Sequence, residues 1–300
     1  MLLKNLVLYR LPADWAVDAE QLQRHLANQS LQPCGGFQME SRGWTWPHED
    51  GVFLYQQARQ WLLALGVEQK LLPASVIRQE AQDRAAVIER EQGHPVGRKQ
   101  MRDLRDQVTN ELLPRALARR RITHAWIDAG QRLLAVNAVG DAKVEQFMEA
   151  LRRADDDMQA LRLETQRSPA AAMAEWLVQG EAPGAFTIDQ DLELRAADAG
   201  KATVRYARHP LEGKEIRDHI AAGKTVVRLG LTWNDKISFV LTEHLQIKRI
   251  VVLNVIRQES EAGVDDEQEQ FELDFALMTG ELALMIGDLV KALDGEKKPE

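Results

Sequence analysis

Apolar and polar residues alternate along the chain in two periods, two for strands and about 3.6 for helices. Leu2 to Leu11 is a Leu/Val/Tyr-rich run that ends at Pro12 and predicts a first strand. Asp18 to Gln29 follows as a helix, with Leu22 and Leu26 one turn apart and Asp18 placed to cap it. After a turn at Pro33-Cys34-Gly35-Gly36, Gly43-Trp44 leads through Pro47 to two predicted strands, Gly51 to Tyr55 and Trp61 to Val67. Beyond Pro73 the period changes. Ala74 to Glu91 carries Val76, Ile77, Ala81, Ala85 and Ile88 near one helix face, and Gly93-His94-Pro95-Val96-Gly97 breaks it. A second helix is expected from Arg98 to Arg119, interrupted near Pro114. Two helices joined by such a turn make an antiparallel hairpin.

The strand period then returns at Thr123 to Asp128 and Arg132 to Asn137, turned at Ala129-Gly130-Gln131. Helices are expected at Asp141 to Arg153, from Ser168-Pro169 to Gly180, and at Leu211 to Ala222. Thr203 to Tyr206, Lys224 to Trp233, Lys236 to Thr242 and Ile247 to Leu253 read as strands. One long helix, Asp265 to Leu293, presents Phe271, Phe275, Met278, Leu282 and Met285, and the residues from Gly295 onward should fray. These elements predict an α/β (α+β) protein with mixed or antiparallel sheets, flanking helices and an inserted helical finger. With 300 residues, more than one unit is expected. The segments suggest an N-terminal sheet-and-helix domain over 1–73 plus 114–166, a finger over 74–113, and a C-terminal domain over 167–300.

Charge sharpens the picture. The chain has a formal net charge of −8, yet His94 to Arg121 holds eight Lys/Arg against three acids. Gln258 to Glu300 holds thirteen acids against three lysines. Arg98, Arg102 and Arg105 are spaced to share one helix face, with Lys99 beside them. Two readings stay open on the residues alone: a polyanion site confined to one face, or a solvated helix partly neutralised by Asp103 and Asp106. A nucleic-acid site of this kind would bind through phosphates, with weak sequence preference.

Catalytic and cofactor motifs do not emerge. The seven His have no metal-ligand spacing, and there is no His-Glu-x-x-His, Cys-x-x-Cys or EF-hand loop. Gly223-Lys224-Thr225 lacks the glycine five residues earlier that a phosphate loop needs. Cys34 has no basic neighbour in sequence and reads as a buried or turn cysteine. Asp155-Asp156-Asp157 reads as a solvated helix end, and Trp126-Ile127-Asp128 as a buried Trp with a turn acid. No catalytic residue, metal or cofactor is expected. A single cysteine permits no intramolecular disulfide, as in a cytoplasmic protein, and no apolar run is of membrane-spanning length.

Several stretches together resemble one family, the bacterial recombination-associated RdgC proteins. They are Lys4-Asn5-Leu6 with Tyr9-Arg10-Leu11, Pro33-Cys34-Gly35, Gly43-Trp44, Leu72-Pro73, Val76-Ile77 and Leu112-Leu113-Pro114-Arg115-Ala116. Trp126-Ile127-Asp128, Glu175-Trp176, His219-Ile220-x-x-Gly223-Lys224 and Leu231-x-Trp233 continue the series. It closes with Phe271-x-x-Asp274-Phe275-x-Leu277-Met278-Thr279-Gly280-Glu281-Leu282, so the likeness runs in order along nearly the whole chain. The resemblance implies a non-enzymatic, nucleoid-associated protein. It implies a ring-shaped homodimer that encircles duplex DNA with little sequence preference and restrains the recombinase RecA by competing for DNA. Preference for single- or double-stranded DNA stays open. By position, it implies phosphate contacts at Lys70, Arg78, Arg98, Lys99, Arg102 and Arg105. It implies subunit contacts at Leu117 and Arg120, where the family often has aromatic residues, and at Arg208 and His209, where it carries a Lys-Gln pair. A rival function is a protein-interaction module that binds a recombinase directly through the acidic C-terminal region.

Overall fold

The computed structural model describes residues 3–16, 18–49, 51–197, 200, 202–253 and 266–297. In the first half, β1 (Leu6–Arg10), α1 (Ala19–Asn28), β2 (Glu40–Thr45), β3 (Leu54–Gln57) and β4 (Gln60–Lys70) precede two helices, α2 (Ala74–Gln92) and α3 (Arg98–Leu112). A 3₁₀ turn at Leu113–Arg115 leads into β5 (Ala118–Asp128), β6 (Leu133–Asn137), α4 (Asp141–Ala154) and β7 (Leu161–Arg162). The second half comprises α5 (Pro169–Gln179), β8 (Phe186–Arg195), β9 (Thr203–Tyr206), α6 (Lys214–Ala221), β10 (Thr225–Trp233), β11 (Ile237–Thr242), β12 (Gln246–Val252) and α7 (Glu267–Ala292).

The strands form one twelve-stranded sheet in the order β2-β4-β5-β6-β1-β12-β11-β10-β8-β9, with β3 beside β4 and β7 beside β1. Every ladder between named strands is antiparallel, so of the expected mixed or antiparallel sheets the protein forms one antiparallel sheet. The halves meet at a narrow waist, where β1 and β12 share only the pairs Leu6↔Ile247 and Val7↔Gln246. α1 and α4 cover one face of the first half, burying Leu22, Leu26, Phe147 and Leu151 against Leu63, Ile127 and Val136. α5 and α7 lie on the opposite face, where Trp176, Phe275 and Leu282 join Leu62 and Trp126 from the first half to Leu229, Phe239 and Ile247 from the second. The two halves therefore share a core across the waist.

Local chemistry sets the element ends. The Asp18 carboxylate accepts from the Gln21 amide at 2.6 Å and starts α1, whose Leu22 and Leu26 are fully buried. Burying each such leucine is worth about 1.5–3 kcal/mol. The Ser168 hydroxyl caps α5 ahead of Pro169, and Gly180 closes it at φ 84°. Gly43 allows the Ser30–Leu31 backbone to cross β2, since a Cβ there would sit 2.5 Å from the Leu31 nitrogen.

The structure departs from the sequence reading in several places. α3 ends at Leu112, and Arg119 to Arg121 lie on β5 opposite Gln69, Glu68 and Val67 instead of extending the helix. Pro114 explains the break, because it lacks an amide proton and crowds the preceding turn. β2, β7 and β8 were not foreseen as strands. β8 alternates Phe186, Ile188, Leu192 and Leu194 with polar residues, and the pattern is interrupted only over 189–191, where its pairing with β10 shifts register. Residues 295–297 do not fray: Glu296 ion-pairs with Arg10, and the Lys297 amide donates to the Glu164 carbonyl at 2.9 Å. Asp265, expected to begin the last helix, lies outside the described residues, as does much of the acidic segment before it.

Candidate nucleic-acid interface

Beyond β6, β2, β4 and β5 run on as a three-stranded extension, and α2 and α3 rise between the ends of β4 and β5 as a finger. The finger has its own small core, in which Ala81 and Ala85 of α2 are buried against Leu104 and Val108 of α3. Ile77, Ile88, Val96, Met101 and Leu112 flank that seam. Alanines on one side let the two helix backbones come close. At the tip, Gly93 takes the left-handed conformation at φ 74°, and the Glu89 carboxylate accepts from the Val96 amide at 2.7 Å.

Arg84 ties the helices together, reaching Glu80 at 3.0 Å on its own helix and Glu111 at 2.8 Å across the hairpin. The Glu111 and then the Glu80 carboxylates hold the Arg84 guanidinium well above its ordinary range, and Arg84 in turn holds the Glu111 carboxyl low. Three finger acids are thus engaged with Arg84 or the backbone. Arg98, Lys99, Arg102 and Arg105 are exposed, and among the described residues none of their charged groups makes an ion pair or hydrogen bond. Asp103 and Asp106 do not pair with them either. Lys99–Asp103 and Arg102–Asp106 have the cation on the N-terminal side, the weaker orientation for an i,i+4 pair.

α3 also begins without an acid in its first turn and without a capping side chain, Gly97 standing at its cap. Arg98 and Lys99 therefore sit at the positive end of the helix dipole, beside free amides. Positive charge gathered there is unfavourable in isolation and favourable once an anion binds. Arg78 is exposed near the finger's base, its Nε donating to the Ala74 carbonyl at 3.3 Å. Arg90, on the last turn of α2, is exposed as well and escaped the sequence reading because Glu89 and Glu91 flank it.

Lys70 is placed differently from the other expected phosphate contacts. It is only 7% exposed, and its ammonium donates to the Gly36 and Leu113 carbonyls, both at 2.9 Å. Its charge is spent on the finger's root, because β4 turns it inward between the Gly36 loop and the end of α3.

Around that root lie four exposed apolar side chains, Phe37, Met39, Leu71 and Leu117, the last 78% exposed. Their segments are linked: the Lys70 amide donates to the Met39 carbonyl, and the Leu71 amide to the Leu117 carbonyl at 2.7 Å. Arg120 pairs with Glu68 at 3.1 Å. The Cys34 amide, followed by Arg120, holds the Glu68 carboxyl below the usual carboxylate range. Arg208 and His209 follow β9 at the far end of the sheet. Arg208 adopts φ 52°, and the His209 ring lies 5.5 Å from Tyr206. The two expected subunit contacts thus sit towards opposite ends of the strand order.

One continuous antiparallel sheet with a separately cored cationic hairpin defines an α+β protein built to present charge on a projection. Comparison with known proteins gives that class a family. A family model described as "Putative exonuclease, RdgC" matches residues 1–296. The recombination-associated protein RdgC of Janthinobacterium sp. (strain Marseille) is 49% identical over 296 residues, covering 99% of each chain. The proteins of the same name from Dechloromonas aromatica (strain RCB) and Herminiimonas arsenicoxydans are each 48% identical, over 99% of this chain and 98% and 99% of theirs. The chain belongs to the RdgC family of recombination-associated proteins. Among the described residues no helix is long and apolar enough to cross a membrane, and no three His, Cys, Asp or Glu side chains gather as metal ligands would.

Proposed function

We propose that this protein binds DNA through its phosphates, with little sequence preference, as a ring-shaped homodimer that limits access of a RecA-type recombinase to DNA in the nucleoid. The observation that carries the reading is the set of four exposed, unpaired cations, Arg98, Lys99, Arg102 and Arg105, on one projecting hairpin of an acidic protein. Arginine forks onto phosphate oxygens and lysine supplies a point charge, so the set suits a repeating anion. Arg78 and Arg90 extend it along α2, while Lys70 supports it from within.

Assembly into a ring rests on the two regions at opposite ends of the sheet. The apolar patch at Leu117, Leu71, Phe37 and Met39 suits a self-complementary contact, and Arg208-His209 offers a polar one. Two such contacts per subunit, each made with its own copy, close a dimer around a hole. A closed ring adds topological retention to electrostatic affinity, so it would leave circular DNA more slowly than linear DNA after a salt challenge.

The test is duplex affinity across a salt series, with native mass measured alongside. Tight, salt-steep binding of unrelated sequences by a dimer supports the reading, and no binding at low salt overturns it. A rival reading draws on the acids of α7, among them Glu267, Glu269, Glu272 and Asp274, as a docking site for the recombinase itself. A finger variant that cannot bind DNA yet still blocks strand exchange would establish that rival. Divalent-dependent degradation of DNA ends in the same samples would instead support the exonuclease named in the family's description.

A further inference from the structure

The second half of the sheet has one covered face and one open face. α5 and α7 cover the side of Leu229, Leu231, Phe239 and Ile247. On the other side the helical layer of α1 and α4 stops at the first half, and no residue of β8 to β12 enters its core. The open face holds a cleft of about 310 Å³ lined by Arg205, Arg228, Lys248 and Arg249, with Asp191 and Glu193.

Consecutive residues of a strand point to opposite faces, so Lys248 and Arg249 should not line the same cleft. A β-bulge brings them together. Ser238 pairs with Val251 and Val240 with Lys248, so β12 carries one extra residue between these pairs. Arg249 takes up that residue at φ 53°, a conformation that side-chain-bearing residues rarely adopt. Side-chain and backbone oxygens of the β1 segment hold it: the Arg249 amide donates to Asn5 Oδ1 at 3.2 Å, and the Ile250 amide to the Lys4 carbonyl at 2.9 Å. Such a backbone conformation, held in place by its neighbours, is a common feature of binding sites.

The charges in the cleft do not cancel. Glu193 lies 3.2 Å from Arg228 and Asp191 lies 3.8 Å from Arg249. Arg205 and Lys248 have no ion-pair or side-chain hydrogen-bond partner among the described residues. Burial, and then the neighbouring Arg228, hold the Lys248 ammonium below its ordinary range. The cleft thus keeps a partly desolvated cation beside a second cation, an arrangement that a bound anion would relieve.

We propose that this cleft binds a backbone phosphate of a DNA strand, with Arg205 and Lys248 as its ligands, at a second contact separate from the finger. The inference rests on the DNA-binding reading and extends it to the sheet. Arg228 and Arg249 add their field while held by their carboxylates.

The experiment compares the wild-type protein, an Arg205→Ala/Lys248→Met double variant and a Glu193→Gln variant in duplex and single-strand salt series. Phosphate contacts contribute about 0.9 to the logarithmic salt slope each on duplex DNA and about 0.7 on single strands. The double variant should therefore flatten the duplex slope by about 1.8, and Glu193→Gln, which removes a negative charge, should tighten binding at low salt. Opposite changes in affinity from the two variants would not follow from a loss of structure. An unchanged slope in the double variant, beside a flattened slope in a finger variant, overturns the cleft while leaving DNA binding intact. Weaker binding with an unchanged slope also overturns it, because the residues would then act on the fold alone. Failure of the wild-type protein to bind any DNA at low salt removes the underlying reading as well.

Discussion

The Lys70 ammonium donates to the carbonyl of Leu113, 43 positions further along the chain, at 2.9 Å, and so closes the root of the finger from within the sheet. The same ammonium holds the Gly36 carbonyl. This one group joins three segments: the end of β4, the end of the hairpin and the loop that bears Phe37. Lys70→Met should keep the buried stem and leave two carbonyls unsatisfied, at a cost of about 1–3 kcal/mol in urea unfolding. The salt slope of DNA binding should not change, because the Lys70 ammonium is enclosed and already donates to two carbonyls.

Replacing Arg98, Lys99, Arg102 and Arg105 by alanine should have the converse effect. Stability should hold or rise slightly, since like charges at the N-terminus of α3 are relieved. The duplex salt slope should flatten by about 0.9 for each phosphate that is no longer neutralised. A salt series paired with thermal unfolding separates the two variants.

Leu104→Ala should unfold the finger before the sheet. Its neighbours Ala81, Ala85 and Val108 belong to a core separate from the two that hold the sheet and its helices. A leucine-to-alanine change in a core costs about 2–5 kcal/mol, and here it falls on a small unit. Hydrogen exchange should show reduced protection over 74–112 with β4, β5 and β6 still protected.

Acid should weaken the fold partly through His124. Burial holds this imidazole below its ordinary value of 6.5, although a hydrogen bond with the Pro47 backbone acts the other way. The unfolded chain therefore binds this proton more readily. The stabilisation is fully present above pH 6.5 and is lost as pH falls through the lower, folded value. His124→Gln should flatten the dependence of the urea midpoint on pH over that window.

If the protein assembles as the proposed dimer, Leu117→Asp should shift it towards monomer. The side chain is 78% exposed among other apolar groups, so the change should cost the single subunit little and a self-contact much. Native mass across a dilution series reads the result, and an unchanged dimer would move the junction elsewhere.

Much of the chain was legible because its signals are local. The Asp18 cap and the Leu22–Leu26 pair, the Ser168-Pro169 start and Gly180 stop of α5, and the apolar ladder of α7 act within a turn or two. The finger was legible for the same reason: a helical period on each side of a Gly/Pro break, with an arginine stripe on one face. Non-local pairing decided the rest. Whether Arg119 to Arg121 continue a helix or join a strand depends on β4 lying alongside, about fifty positions earlier. β8 was hidden because Asp189-Gln190-Asp191 interrupts its alternation where the register with β10 shifts, a shift that only the pairing explains.

By itself, the sequence determined the mixture of helices and strands, the separation of charge and the place of the finger, since propensity, capping and periodicity are properties of neighbouring residues. Tertiary structure alone decided that the strands make one antiparallel sheet, and that Lys70 is enclosed while Arg98, Lys99, Arg102 and Arg105 stay free. It alone brought Arg205, Arg228, Lys248 and Arg249 to one cleft. The physical reason is that burial, pairing and desolvation depend on which distant backbone closes over a side chain, and an identical charge becomes either a structural clamp or a ligand according to that enclosure.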